Sequence, residues 1–175
     1  MSKTTTSDVN ADNVIDFTDT DVTVIDATNR TQTVQHRTKT GITGTLLSQT
    51  ITTTSLDGKK ITIAEDANGD TKNDKFTEIV VGTDGKTTNT VSTLNADGSL
   101  VSKTVTVSSA DGLSKTTSID ANGDSINDLL VTDVITTWSD GSRAETVTSK
   151  ERHRRDYRHD PHQHIGRQSD PVCQD

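Results

Sequence analysis

Aromatic residues make up 2% of this chain and apolar residues of every kind only 27%, well under the usual share. Leu, Ile, Val and Phe together are about a fifth of the residues, near the level at which chains stop burying enough surface to fold unaided. A conventional hydrophobic core is therefore excluded. The chain has a single cysteine, Cys173, so no intrachain disulfide can offset that deficit. No apolar run approaches membrane-spanning length. The first residues, Met1-Ser-Lys-Thr-Thr-Thr-Ser7, lack the apolar segment of a secretory signal. Positive charge is also short: before Lys150 there are 12 basic and 21 acidic residues, a net charge of −9. That balance argues against nucleic acid as a partner, because phosphate binding needs a basic face. It suits cation binding and solubility. There is no Gly-x-Ser-x-Gly elbow, phosphate loop or His-Glu-x-x-His, and too few aromatics to line a unique pocket, so no enzyme is expected.

What the chain has in excess is threonine, about a fifth of all residues. Threonine is β-branched, fits a pleated half-exposed surface and is a poor helix former. No stretch shows helical periodicity. Between turn signals the residues alternate instead. Val101, Val105 and Val107 fall on one face with Ser102, Thr104 and Thr106 on the other. Leu130, Thr132, Val134, Thr136 and Trp138 share a face of a later segment. Asp-Gly pairs at 57–58, 84–85, 97–98, 111–112 and 140–141 punctuate these segments, a strong hairpin signal that points to type I′ turns.

One acidic string is repeated. Asp66-Ala-Asn-Gly-Asp-Thr-Lys-Asn-Asp74 returns as Asp120-Ala-Asn-Gly-Asp-Ser-Ile-Asn-Asp128, and a worn copy stands at Asp8-Val-Asn-Ala-Asp-Asn-Val-Ile-Asp16. Each copy places oxygen donors at loop positions 1, 3, 5 and 9. A hard cation such as Ca²⁺ needs six to eight oxygens around one point, and a short loop with a donor at every second residue can wrap such a point. The expected ligands are Asp66, Asn68, Asp70, the backbone carbonyl of Lys72, and Asp74. Their counterparts are Asp120, Asn122, Asp124, the carbonyl of Ile126, and Asp128. In the first loop Asp8, Asn10, Asp12 and Asp16 keep the donor types, although Ala11 replaces the glycine and Val14-Ile15 makes the second half apolar. These are not EF-hands: Thr77 or Val131 stands where a bidentate Glu belongs, and no glycine fills the sixth position. The competing possibility is a polar Asx turn between strands, since Asp, Asn and Gly dominate turns. Near-identical copies in register weigh against it.

Aligning the loops aligns the rest. The period is 58 residues between the first two loops and 54 between the next two. Gly44-Thr-Leu-Leu-Ser-Gln-Thr-Ile-Thr52 matches Gly98-Ser-Leu-Val-Ser-Lys-Thr-Val-Thr106, and Ser2-Lys-Thr-Thr matches Ser114-Lys-Thr-Thr, so Met1 falls inside a repeat unit. Periods of this size indicate stacked supersecondary units. The expected fold class is all-β: tandem antiparallel hairpin or meander repeats of about 54–58 residues, elongated, with a disordered C-terminal tail. Each unit has four short strands with one acidic loop. The array would occupy residues 1–149.

The string Asp-x-Asn-Gly-Asp-x-x-Asn-Asp followed by Leu-Leu-Val at 129–131 resembles the calcium loops of FG-GAP and VCBS-type repeats. The wider unit, including Asn95-Ala-Asp-Gly-Ser-Leu-Val-Ser-Lys-Thr and Ser109-Ala-Asp-Gly-Leu-Ser-Lys-Thr-Thr117, more closely resembles the Thr-rich tandem repeats of giant secreted bacterial RTX/adhesin-like proteins. That resemblance covers residues 2–149. It implies calcium binding, an extracellular or cell-surface location as part of a larger protein, and matrix or surface carbohydrate or protein as partner. The chain lacks the Gly-Gly-x-Gly-x-Asp nonapeptide of the RTX β-roll and the Phe-Gly and Gly-Ala-Pro elements of FG-GAP blades.

Composition breaks at Lys150. Residues 150–175 hold four of the five histidines, the only Tyr and Cys, both prolines and no threonine. A basic, His-rich, disordered tail is expected, read as the frameshifted end of a longer repeat gene. The alternative, a transition-metal site at His159, His162, His164 and Cys173, matches no finger spacing. His36, alone in a Thr-rich stretch, is expected to be an exposed strand residue.

Overall fold

Threonine, valine and isoleucine in alternation give strands, and the chain forms almost nothing else. The computed structural model describes residues 1–28 and 31–152. In order the strands are β1 (Ser2–Ser7), β2 (Phe17–Asp26), β3 (Thr31–Thr40), β4 (Leu46–Ser55), β5 (Lys60–Asp66), β6 (Lys75–Val81), β7 (Thr87–Leu94), β8 (Leu100–Ser108), β9 (Ser114–Asp120), β10 (Leu129–Thr137) and β11 (Arg143–Glu151). They pair strictly in sequence order as one antiparallel sheet of 11 strands, and no helix occurs among the described residues. The all-β meander expected from the repeats is what forms. Ten inter-strand steps of about 4.8 Å extend the sheet about 48 Å across its strands.

The sheet is a single layer. No hydrophobic residue among those described is buried; only Thr18, Asp66 and Asp120 are. Cross-strand side-chain ladders do the work a core would do. One row runs Thr23, Val34, Thr52, Ile63, Thr77, Val91, Thr104, Ile119, Leu129, each opposite the next. Eight of these nine are β-branched, and threonine alternates with an aliphatic residue as far as Ile119. Val34, Ile63 and Val91 thus each stand between two threonines. Thr33 with Thr53, and Thr106 with Thr117, bring hydroxyls within 3.3 Å. Ion pairs Lys75–Glu65 (3.0 Å) and Lys60–Glu78 (2.7 Å) add cross-strand contacts, each worth under about 1 kcal/mol at such exposure. His36 is exposed on β3, with Nδ1 2.7 Å from Asp21 Oδ1.

With two solvated faces, burial cannot fix the register, and the turns must. The Asp-Gly pairs turn the chain as expected, but not as type I′. Gly58, Gly85, Gly98, Gly112 and Gly141 have φ of 69 to 84°, while the aspartates before them are not left-handed. Each glycine amide donates to the carbonyl three residues back, as Gly98 N does to Asn95 O at 2.8 Å. Each connection is a type I turn followed by a left-handed glycine: the loops at 84–85, 97–98 and 140–141 have three residues, and those at 57–58 and 111–112 have four. The side chain decides the difference: Asp57, Asp84, Asp97, Asp111 and Asp140 each accept, through Oδ1, the amide two residues on. An Asx hydrogen bond of this kind holds the aspartate itself right-handed.

The register slips at two bulges, Thr38/Lys39 and Thr93/Leu94, each where a strand meets the start of β4 or β8. At the C-terminal end, β11 runs through Lys150 to Glu151, two residues past the compositional break. The expected disordered tail spans 150–175; residues 153–175 of it, with His159, His162, His164 and Cys173, lie outside the described residues.

Candidate metal loops

All three acidic strings fall on β-to-β connections at the same end of the sheet: β1–β2, β5–β6 and β9–β10. Successive copies stand four strands apart, about 19 Å, so they are electrostatically separate at physiological salt. They are closed in the same way. Asp16 N donates to Ser7 O (2.8 Å), Asp74 N to Glu65 O (2.8 Å) and Asp128 N to Ile119 O (2.7 Å). Their carbonyls in turn accept from Gly41 N, Leu94 N and Arg152 N.

Within the second loop, Asp66 is the hub and is only 4% exposed. Its Oδ1 accepts from Gly69 N (2.6 Å) and Asn68 N (3.3 Å), and its Oδ2 from Thr71 N (2.8 Å). Asn68 Oδ1 accepts from Asp70 N (2.9 Å) and Asp70 Oδ1 from Lys72 N (2.9 Å). Asp74 Oδ2 reaches back to Ala67 N (2.7 Å), and its Oδ1 to Asn68 Nδ2 (3.3 Å). The third loop repeats the pattern around Asp120, which is 2% exposed. Gly123 N and Ser125 N donate at 2.8 Å and Asn122 N at 3.2 Å. Asn122 accepts from Asp124 N, Asp124 from Ile126 N, and Asp128 from Ala121 N. Burial pushes the Asp120 carboxyl up, but the amides of Asn122, Gly123, Ser125 and Asp124 outweigh it and hold the group below its ordinary value.

This closure requires two left-handed residues in each loop. Position 4 is Gly69 or Gly123, at φ 77 and 75°. Position 6 is Asn13, Thr71 or Ser125, at φ 66, 70 and 65°. The sequence shows no glycine at the sixth position, yet the backbone there takes the conformation that glycine favours. The pull of the position-1 carboxylate on the position-6 amide holds it there. For the β-branched Thr71 the conformation costs on the order of 1–2 kcal/mol.

Gly69 and Gly123 have a second reason to lack a side chain. A methyl at Gly69 would lie 2.0 Å from Leu46 O, and one at Gly123 would lie 2.0 Å from Leu100 O. The first residue of β4 or β8 passes directly over the loop. A glycine at this position reads, from sequence, as one that permits a tight curl between neighbouring donors. The constant spacing from Leu46 to Gly69 and from Leu100 to Gly123 was the only available sign of this contact.

The first loop is a reduced version. Asn13 N donates to Asp8 Oδ2 (2.9 Å), Asp12 N to Asn10 Oδ1 (3.0 Å), Val14 N to Asp12 Oδ1 (2.8 Å), and Val9 N to Asp16 Oδ2 (2.7 Å). Asp8 Oδ1, by contrast, is shielded from solvent with no hydrogen-bond partner.

Each nine-residue loop carries all of its expected side-chain ligands, three of them carboxylates, without gathering them around one point. At least one oxygen of each side chain accepts from an amide of the loop itself, and in Asp66 and Asp120 both do. Among the described residues no three His, Cys, Asp or Glu side chains converge tightly enough to enclose an ion. Nor does any lysine or arginine among them pair with Asp66, Asp70 or Asp74. Away from the loops, a shallow depression of about 160 Å³ is lined by residues that include Ser108, Lys115, Asp133 and Ile135. Comparison of the chain with protein-family models, with curated proteins and with solved structures gives no match.

Proposed function

We propose that this chain is a calcium-binding structural module. It is a stretch of β-ribbon whose loops take up Ca²⁺ and which serves as a spacer or adhesive segment within a larger secreted or cell-surface bacterial protein. The donor chemistry supports this. Asp66, Asn68, Asp70 and Asp74, with the Lys72 carbonyl, offer only oxygen, as do Asp120, Asn122, Asp124 and Asp128 with the Ile126 carbonyl, and oxygen is what a hard cation takes. Asp8, Asn10, Asp12 and Asp16 offer a third set. The observation that carries the proposal is Asp8 Oδ1, a carboxylate oxygen shielded from solvent with no hydrogen-bond partner. An unsatisfied anionic oxygen is costly, and a divalent ion in the loop would satisfy it.

Calcium would supply what a single-layer sheet lacks. Ligand binding to the folded state alone stabilises by RT ln(1 + [L]/Kd), about 1.4 kcal/mol per site at ten times Kd. Three sites would add about 4 kcal/mol, comparable to a substantial part of a small domain's stability. Extracellular modules bind at roughly 10⁻⁴ to 10⁻³ M, so such a ribbon would be firm outside the cell and loose inside it. The loops stand at one end of the sheet and leave both faces free for a carbohydrate or protein surface.

Calorimetric titration with CaCl₂ tests the proposal. Saturable heat with up to three sites is expected, and the Asp66→Asn and Asp120→Asn variants should each lose one. No heat up to 10 mM Ca²⁺, with unfolding identical in EDTA and in Ca²⁺, would refute it.

A further inference from the structure

The β1–β2 hairpin repeats the β9–β10 hairpin in register. Ser2 opposite Val22 through Ser7 opposite Phe17 corresponds to Ser114 opposite Val134 through Ile119 opposite Leu129. On the other side of β9 lies β8, and on the equivalent side of β5 lies β4. β1 is the first strand of the sheet, and among the described residues no strand pairs with its equivalent side. The strand it would carry is defined by the repeats. Opposite β9, Thr104 faces Ile119, Thr106 faces Thr117 and Ser108 faces Lys115. Carried to β1, the same strand would face Ser7, Thr5 and Lys3.

Such an edge is a hazard. β1 has one charged residue, Lys3, no proline and no bulge, and every residue but Ser7 is exposed. An edge of that kind invites pairing with another extended chain. β11, the other outermost strand among the described residues, carries Arg143, Glu145, Lys150 and Glu151, the usual charged protection of an edge. β1 lacks that protection, but the loop beside it differs from the other two at position 4. There Ala11, at φ 60°, stands where Gly69 and Gly123 stand at φ 77 and 75°. In the two glycine loops the strand alongside runs so close that a methyl would lie 2.0 Å from its first carbonyl oxygen and 2.6 to 2.7 Å from the carbonyl carbon. Backbone cannot be approached that closely.

We infer that the Ala11 methyl closes the β1 edge: it occupies the place where the first carbonyl of a β4- or β8-type strand would pass, and its removal turns β1 into a docking edge for such a strand. The partner so excluded is an extended segment in which Thr and Ser alternate with Val, as in Leu100–Ser108. Further repeat units of the same sequence would present such segments in quantity. The methyl accordingly acts against head-to-tail association of repeats, at the expense of the hydrogen bond that the position-4 amide gives in the other two loops.

The test uses the full chain, in millimolar CaCl₂ so that any calcium requirement is met, and a synthetic peptide with the sequence of residues 99–109. Amide hydrogen exchange is followed in Ser2–Ser7. In the native chain the peptide should leave exchange there unchanged. In Ala11→Gly it should slow exchange at least tenfold at saturation. Ala11→Ser, which keeps the β-carbon, should behave like the native chain. Gly123→Ala provides a second readout: it should speed exchange at the start of β8, where the strand is already in place. Protection of β1 in the native chain, no protection in Ala11→Gly, protection in Ala11→Ser, or unchanged exchange at Leu100–Lys103 in Gly123→Ala would overturn the inference.

Discussion

Replacing Gly123 with alanine separates two roles that one glycine plays. The first is conformational: φ is 75°, and a left-handed alanine costs on the order of 1–2 kcal/mol. Part of that is recovered, about 0.4–1 kcal/mol, because alanine leaves the unfolded chain less freedom to lose. The second role is space. The new methyl lies 2.0 Å from Leu100 O, and ordinary contact begins at 3.4 Å, so that carbonyl must retreat about 1.4 Å. Leu100 pairs with Leu94 beside the Thr93/Leu94 bulge, which gives the strand some room to move. Overpacking against backbone nevertheless typically costs about 1–3 kcal/mol. The total loss is then about 2–4 kcal/mol. Gly58→Ala is the matched control, since φ is 69° and nothing lies within 4 Å of the new methyl. It should lose only the conformational part, under about 1.5 kcal/mol. Urea unfolding followed by far-ultraviolet circular dichroism gives the comparison, with hydrogen exchange at Leu100 and Val101 as the local readout. Equal losses for the two variants, with β8 undisturbed in both, would show that the close passage over the loop has no energetic weight.

Thr71→Gly should raise stability by about 0.5–1 kcal/mol, because relief of a strained β-branched residue exceeds the added freedom of the unfolded chain; a loss in thermal unfolding would mean that the loop is not strained. The turn aspartates set an acid limit. The Ser55 hydroxyl and Lys59 amide hold Asp57 below its ordinary value, and the side chain and amide of Lys86 do so for Asp84. Ser99, Ser109 and Ser142 do the same for Asp97, Asp111 and Asp140. A depressed carboxyl stabilises the fold above the unfolded value of 3.8 and loses that contribution as pH falls through the lower folded value. Unfolding should therefore show no dependence on these five groups between pH 5 and 7 and a falling midpoint below about pH 4, a fall that Asp111→Asn should lessen. Lys75→Ala should cost less than about 1 kcal/mol, and less still in 1 M salt, because its pair with Glu65 is solvent-exposed; a larger loss would point to packing by the lysine stem.

The sequence by itself determined the class of structure and the order of its parts. Threonine alternating with valine and isoleucine can form strands without a core, because β-branched side chains pack against cross-strand neighbours whether or not a second layer covers them. Asp-Gly marks five of the ten reversals, and the copied acidic strings locate three equivalent connections. These are local signals, carried by residues adjacent in the chain, and so they can be read from it. What it could not supply was which atoms face which across the sheet. The same Asp-Gly pair suits a type I′ turn or a bulged one, and an Oδ1 to an amide two residues on decides between them. The same acidic string suits an ion or its own amides, and in the folded loop at least one oxygen of each side chain, and both of Asp66 and Asp120, are committed to amides. Leu46 over Gly69 and Leu100 over Gly123 join residues more than twenty positions apart. Only the register of β4 and β8 brings them together, and with it comes the difference between a loop that ends in glycine-tight contact with a strand and one where Ala11 leaves no room for it.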